Sequence, residues 1–289
     1  MEVIDCQVHI IDRNRPERPW VPGFAESLAG TLAGEIFTTG SAIITDEEMV
    51  AAMDRAGVDG ALLVPTSHYG WDNSYSVEAA RKWPERFRVV GRVEPFADDV
   101  EARMQAWAAE PMAVGIRLLL KTEAEADGSS YDRILASAAE NLMPVCVHCS
   151  GILPAMERMA RRHPTVQLVI DHVGMHQPPM HDPGPQPLHD LPQLLAMASL
   201  PNVAVKLSGL PSLSLEPFPF RDLEKPLRQI IDAFGVERLM WGTDWTRVVH
   251  LYSYRDTVRF ITESPELDEV EKQALLGGSL RRIFGWPAS

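Results

Sequence analysis

Apolar residues fall along this chain in short runs, each closed by a turn residue or by a polar side chain. Longer stretches with apolar positions three and four apart lie between them. The short runs read as buried parallel strands over residues 3–9, 60–65, 87–93, 113–120, 144–148, 168–172, 203–209 and 239–244. The intervening stretches, 46–56, 73–83, 98–108, 131–141, 152–162, 188–200, 222–234 and 254–263, read as amphipathic helices. Thr45 and Glu48 form a capping box at the start of the first helix. Strands alternating with helices imply a parallel sheet, and eight such units in 289 residues fit a (β/α)8 TIM barrel. The competing open, doubly wound sheet would set its ligand at a switch point, not among side chains from strands one, five, six and eight. Two connections are long: residues 10–44 after strand one, rich in Pro, Trp and Gly, and residues 174–187 after strand six, rich in Pro. Loops of this length serve as lids or binding loops. Residues 267–286 are expected to form a terminal helix closing the bottom or side of the barrel. With no repeat and no shift of composition, the chain reads as a single domain over 1–289.

Bulk composition narrows the partners. Hydrophobic residues make up 45% of the chain, enough for a large core. Against 40 acidic residues stand 27 basic ones, a net charge of -13 that disfavours nucleic acid and anionic membranes as partners. Three cysteines, Cys6, Cys146 and Cys149, are expected to be free thiols in a reducing cytoplasm. The Cys146-x-x-Cys149 spacing is no metal or redox motif on a strand, where positions three apart face opposite sides. No basic-then-apolar leader opens the chain and no run is long enough to span a membrane, so the expected location is cytoplasmic.

The candidate chemistry sits at strand ends. His9, His148, His172 and Asp244 each close a strand, and in a barrel of this kind those ends form the active face. Side chains two apart on a strand share a face, so Asp5, Gln7 and His9 are expected to point inward together. Imidazole and carboxylate suit a divalent metal, zinc above all, with an open position for water; His9, His148 and Asp244 are the candidate ligands. Arg117 and Lys206 lie within strands and must meet an anion, either a substrate carboxylate or a structural one. Gln7, His68 and Arg247 complete the expected substrate-binding set. Asp171 is expected to face away from the interior if His172 faces in. His176, His181 and His189 read as solvated loop residues, and Trp20, Trp71 and Trp245 as pocket walls or packing.

The order Asp5-x-Gln7-x-His9, His148, Asp171-His172-x-Gly174 and Gly242-Thr243-Asp244-Trp245 resembles the amidohydrolase superfamily over nearly the whole chain. More narrowly it resembles the amidohydrolase-2 group of metal-dependent TIM-barrel hydrolases, which includes 2-pyrone-4,6-dicarboxylate lactonase, L-fuconolactonase-like lactonases and decarboxylases. The resemblance implies Asp244 as the base that activates water, with His148 and His172 as catalytic partners. His9, His148 and His172 would bind metal or polarise the carbonyl. The group's first strand carries His-x-His, and here Gln7 replaces the first imidazole. No strand-four lysine or glutamate is evident to bridge two metals. One divalent metal or none is therefore expected. Met175 stands where the pyrone lactonase carries an Arg, which argues against the same dicarboxylate. The expected function is hydrolysis of a small lactone, or a related cyclic ester or amide, whose acidic group is oriented by Arg117 and Lys206. The alternatives are a metal-dependent decarboxylase of a small aromatic or unsaturated acid, and a non-catalytic binder of small acids. Monomer and homo-oligomer are both left open.

Overall fold

Eight parallel strands pair in chain order: β1 (Ile4–Val8), β2 (Gly60–Leu63), β3 (Phe87–Gly91), β4 (Ala113–Leu119), β5 (Val145–His148), β6 (Leu168–Ile170), β7 (Val203–Lys206) and β8 (Leu239–Met240). The first and last meet through Cys6 N–H donating to Trp241 O (3.1 Å) and Asp244 N–H donating to Gln7 O (2.8 Å), so the sheet closes on itself. This computed structural model describes residues 1–40 and 42–287; residues 41, 288 and 289 of the single-domain reading lie outside the described residues. Each strand is followed by a covering helix: α1 (Asp46–Ala56), α2 (Ser74–Lys82), α3 (Val100–Ala108), α4 (Asp132–Glu140), α5 (Leu153–Arg162), α6 (Leu191–Ala196), α7 (Glu224–Phe234) and α8 (Tyr254–Thr262). The capping box of α1 is present, with Thr45 accepting from Glu48 N–H and the Glu48 carboxylate accepting from Thr45 N–H. Among the described residues no helix is long and apolar enough to cross a membrane.

Strand alternation divides the apolar side chains into two cores. Ile4, Cys6, Leu62, Val64, Val90, Cys146, Val169, Ala204 and Met240 fill the barrel, while their strand neighbours pack outward on the helices. Cys146 belongs to the inner core and Cys149 to the outer one, so the two thiols are free and apart, as their spacing implies. Leu280, Phe284 and Trp286 join the inner core from the chain's end. Phe284 packs beside Gly115 and Trp286 beside Gly60, so the terminal helix (Ser279–Phe284) and the residues after it close the bottom of the barrel. The long connection after β1 carries two short helical turns (Phe24–Ser27, Leu32–Gly34) and a π-helical turn (Glu35–Thr39). Residues 175–187 carry no helix.

Two departures from simple alternation shape the site. In β1, Asp5 pairs with Ala61 and Val8 with Leu63, so β1 has one residue more than β2 over that interval, a bulge. The bulge breaks the inward series expected for Asp5, Gln7 and His9. Asp5 instead accepts from Thr243 Oγ1 (2.5 Å), from Tyr254 Oη of α8 (2.7 Å), and from the N–H groups of Thr243 (3.0 Å) and Gln7 (2.9 Å). Burial raises the Asp5 carboxyl to about 6 against the pull of these donors. Asp5 thereby joins β1, the segment after β8 and α8. The second departure is backbone in the left-handed region at His172 (φ 55°), Val173 (φ 52°) and Asp244 (φ 58°), just past β6 and β8. Asp171 continues the alternation of Val169 into the interior, and the turn at His172 then brings that side chain inward as well. The expectation that Asp171 faces away is therefore corrected: both residues point to the barrel's mouth, because the chain leaves extended conformation between them.

Asp5→Ala would leave the Thr243 and Tyr254 hydroxyls and two amides with no acceptor in a dry site. A loss of about 3 kcal/mol of stability is expected from urea unfolding. A loss under about 1 kcal/mol would show that Asp5 does not hold these elements together.

Candidate active site

The mouth of the barrel holds a cavity of about 600 Å³ lined by His9, Arg117, His148, His172, Asp244 and Arg247. Its walls come from the two long connections, which add Phe24, Phe37, Met175, His176, Gln177 and His181. Asp244 is the sole carboxylate among the described lining residues and is 2% exposed. Arg247 Nε donates to Asp244 Oδ2. Asp244 Oδ1 lies 2.8 Å from His9 Nε2. Burial works against the Asp244 anion, yet the Arg247 guanidinium above all holds its carboxyl well below the usual range, so it is ionised near neutrality. His9 is oriented from behind by its Nδ1, 2.6 Å from Val64 O, a carbonyl that can only accept.

His172 is fixed at both nitrogens. Arg117 Nη2 lies 3.4 Å from Nε2, and guanidinium can only donate, so Nε2 accepts and the Nδ1 proton goes to Ser208 Oγ at 2.9 Å. Burial lowers His172 to about 3 and, reinforced by Arg117, His148 to about 4; both rings are neutral at physiological pH. Their centroids are 5.9 Å apart, edge to face. His68 lines the cavity, but both its nitrogens are taken, Nδ1 by Thr66 Oγ1 (2.8 Å) and Nε2 by Phe37 O (2.8 Å). Trp20 and Phe24 pack on its ring, so His68 anchors the first long connection.

Below the floor lies a buried charge cluster. Arg117 Nε donates to Asp171 Oδ2 (2.7 Å), Lys206 Nζ sits 3.1 Å from Asp171 Oδ1, and Lys206 Nζ donates to Gln7 Oε1 (2.8 Å). Burial opposes every charge here, but Lys206 and Arg117 hold the Asp171 carboxyl well below its ordinary value, and Asp171 holds the Lys206 amine above its own. Lys206 and Gln7 are 0% exposed and do not line the cavity. Their expected place in contact with substrate is corrected: they support Arg117, which does reach the cavity, because a buried lysine was already matched by Asp171.

His9 Nε2 and Asp244 Oδ1 face each other, but His172 Nε2 faces Arg117 and Gln7 Oε1 is taken by Lys206. Among the described residues no three imidazole, carboxylate or thiolate groups gather closely enough to hold a metal ion. The expected set of His9, His148 and Asp244 is therefore not assembled, because His148 does not complete it. A catalytic zinc takes three protein ligands, so these residues do not fit one.

The second long connection contributes more than its composition suggested. Arg247 reaches Gln177 Oε1 and Pro178 O, and Gln177 Nε2 donates to His172 O (3.2 Å). Gly209, at φ 69°, leaves the space these two side chains occupy; a Cβ there would overlap both. His176, half-buried, lines the cavity together with His181, which is exposed as expected of that loop; their ring centroids are 4.9 Å apart. His189 is likewise at the surface, beside Asp190 (3.2 Å). Trp20 is buried in the outer core, Trp71 is 43% exposed, and Trp245 stacks on Tyr254. Ser208 and Gln177 were not anticipated; their positions follow from turns that periodicity does not report.

An amidohydrolase family model matches residues 4–286, and the chain belongs to that family. It is 30% identical to an L-fucono-1,5-lactonase of Burkholderia ambifaria over 69% of each chain. It is 27% identical to a 4-sulfomuconolactone hydrolase of Hydrogenophaga intermedia over 83% of this chain and 78% of that protein. A crystal structure of an amidohydrolase from Burkholderia multivorans with bound zinc superposes with a TM-score of 0.79 at 24% identity, covering 99% of this chain and 100% of that one.

Two predictions follow from the electrostatics. Unfolded, His68, His148 and His172 titrate near 6.5, and folded near 4, 4 and 3, so unfolding takes up protons as pH falls below 6.5 and stability is lost. Asp5 runs the opposite way between 3.8 and about 6, releasing a proton on unfolding. Near pH 5 the balance is about two protons taken up, measurable as the slope of unfolding free energy against pH; a flat profile would contradict the buried neutral rings. Lys206→Met leaves Asp171 with one cation and is expected to cost about 3–5 kcal/mol by urea unfolding. A cost under about 1 kcal/mol would mean the cluster is solvated.

Proposed function

We propose that the chain, acting as one barrel domain over residues 1–289, hydrolyses a small-molecule lactone. The observation that carries this reading is the Asp244 carboxylate: buried, ionised, held on Oδ2 by Arg247, and set in the cavity lining among His9, His148 and His172. The lactone-hydrolysing names of the two sequence relatives support the same bond class.

Asp244 Oδ1 accepts a proton from water as the water oxygen attacks the lactone carbonyl carbon. The carbonyl oxygen gains negative charge, and the Arg117 guanidinium with the neutral His148 edge stands nearest to receive it. Arg117 is poised for this because Asp171 fixes its Nε while the rest of the guanidinium faces the cavity. Collapse of the tetrahedral species breaks the ring C–O bond, and the proton returns from Asp244 to the departing oxygen, giving the hydroxy acid. His9, tied to Val64 O by Nδ1, stands beside Asp244 with Nε2 2.8 Å from Oδ1. The acidic group of the substrate finds Arg117 and Arg247 at the cavity wall, and His68 holds the wall closed through Phe37. No step is routed through a metal.

Asp244→Asn is expected to lower kcat by about a thousandfold on any lactone the protein turns over, with binding retained. The assay follows hydroxy-acid formation and evolved CO2 together; CO2 in place of hydroxy acid would replace lactone hydrolysis with decarboxylation, and binding without turnover would leave a small-acid binder. Activity is expected to survive exhaustive chelation. Loss on chelation and recovery with zinc would overturn the metal-free reading.

A further inference from the structure

Arg92 follows β3 directly and is 9% exposed. Its backbone is pinned by Asn73, which accepts from its N–H (2.8 Å) and donates to its carbonyl (3.0 Å). The guanidinium is treated differently from the others at the barrel mouth. Arg117 and Arg247 each meet a carboxylate. Among the described residues Arg92 meets none; the acidic side chain nearest it in sequence, Glu94, is paired with Arg103 (3.4 Å). Its single side-chain bond is long, from Nη1 to Ser67 Oγ at 3.4 Å, and its Nε is buried with no partner. It stacks on Trp71, 4.6 Å from the ring centroid. Burial, with Arg117 close enough to repel it, lowers its pKa to about 10.

A buried guanidinium without a carboxylate, beside a second guanidinium, is opposite to what stability alone would select. Its position explains it. β3 stands between β2, which leads to Ser67, and β4, which carries Arg117; Ser67, Arg117 and Lys121 line the cavity, and Arg92 stands behind Ser67 with Nη1 3.4 Å from its hydroxyl. Asp244, after β8, is separated from β3 around the ring by β1 and β2. We propose that Arg92, with Ser67, forms an anion subsite that takes a carboxylate of the substrate remote from the bond Asp244 attacks. The inference rests on the lactone-hydrolase reading and narrows its substrate to lactones carrying such an acid arm. Trp71 holds the planar fork of Arg92 in one orientation, which suits two-point contact with carboxylate oxygens.

The test uses succinate as a binding probe, titrated by calorimetry into the wild-type protein, Arg92→Gln and Arg92→Lys. Succinate is expected to bind the wild type, to bind Arg92→Gln about tenfold to a hundredfold more weakly, and to bind Arg92→Lys between the two. Thermal melting of Arg92→Gln is expected at or above the wild-type temperature, since no carboxylate is orphaned. A lactone with a carboxymethyl arm and its methyl ester give the kinetic arm: Arg92→Gln should reduce the acid-over-ester ratio of kcat/KM by tenfold or more. Equal succinate affinity in wild type and Arg92→Gln, no binding to the wild type, or an unchanged ratio would each overturn the subsite. The binding arm stands even if no lactone is turned over, so failure of lactone hydrolysis and failure of the subsite are separately visible.

Discussion

The Asp171 carboxylate, fully buried between Lys206 and Arg117, is the interaction on which the mouth of the barrel depends. β4 and β7 each send a cation into a barrel otherwise filled by aliphatic and thiol side chains, and without the anion delivered just after β6 neither could be tolerated there. The carboxylate also decides geometry. It fixes Arg117 by Nε, which leaves Nη2 for His172 and turns the remaining donors to the cavity. It fixes Lys206, whose amine then reaches Gln7. Two cations against one carboxylate leave a surplus positive charge under the floor. A divalent ion beside that surplus would be repelled by it. Gln7, neutral and already bonded through its oxygen, belongs with that arrangement better than a metal-binding imidazole would.

Above the cluster, position is set by backbone strain that the surrounding contacts sustain. His172, Val173 and Asp244 hold left-handed conformations that cost non-glycine residues about 1–3 kcal/mol each. The conformation at Asp244 is held from two sides. Its N–H is bonded to Gln7 O, and Thr243 beside it is bonded twice to Asp5. His172 is held by Ser208, by Arg117 and, through its carbonyl, by Gln177. The strain is repaid in direction: extended strands could not send both Asp171 and His172, or both Gln7 and His9 across a single alternation from Asp5, to the places they occupy.

These details mark what the sequence makes legible. The eight strands, the order of helices, the capping box of α1 and the plug at the chain's end follow from periodicity and local chemistry, and periodicity survives folding wherever the backbone stays regular. His9, His148, His172 and Asp244 were identifiable because each closes such a regular run. The failures begin where regularity ends. One extra residue in β1 moved Asp5 out of the interior set, and a left-handed turn after Ile170 put Asp171 beside its neighbour. Lys206 was legible as a cation needing an anion, but its depth was not, because depth depends on how far each strand extends above the aliphatic layer. His176 was hidden by a proline-rich segment whose composition resembles that of a solvated loop, and Arg92 by a strand prediction that ran two residues too long.

As the proposed base Asp244 is weak, because its carboxyl is held far below its ordinary value, and the proposed reaction has to answer for that. Arg247 is the main cause, and it is also the residue that binds Gln177 and the Pro178 carbonyl in the connection closing the cavity. The basicity of Asp244 is therefore coupled to the seating of that connection: whatever draws the Arg247 guanidinium toward the loop or toward a bound acid weakens its hold on Oδ2 and strengthens the base. The remaining deficit falls on the developing oxyanion. A fixed guanidinium in a low-dielectric cavity stabilises that charge without having to reorganise, and Arg117 has been fixed in advance by Asp171. The weak base and the preorganised cation are thus two consequences of one arrangement, in which Arg117 and Arg247 are immobilised by buried carboxylates in the lining of one cavity.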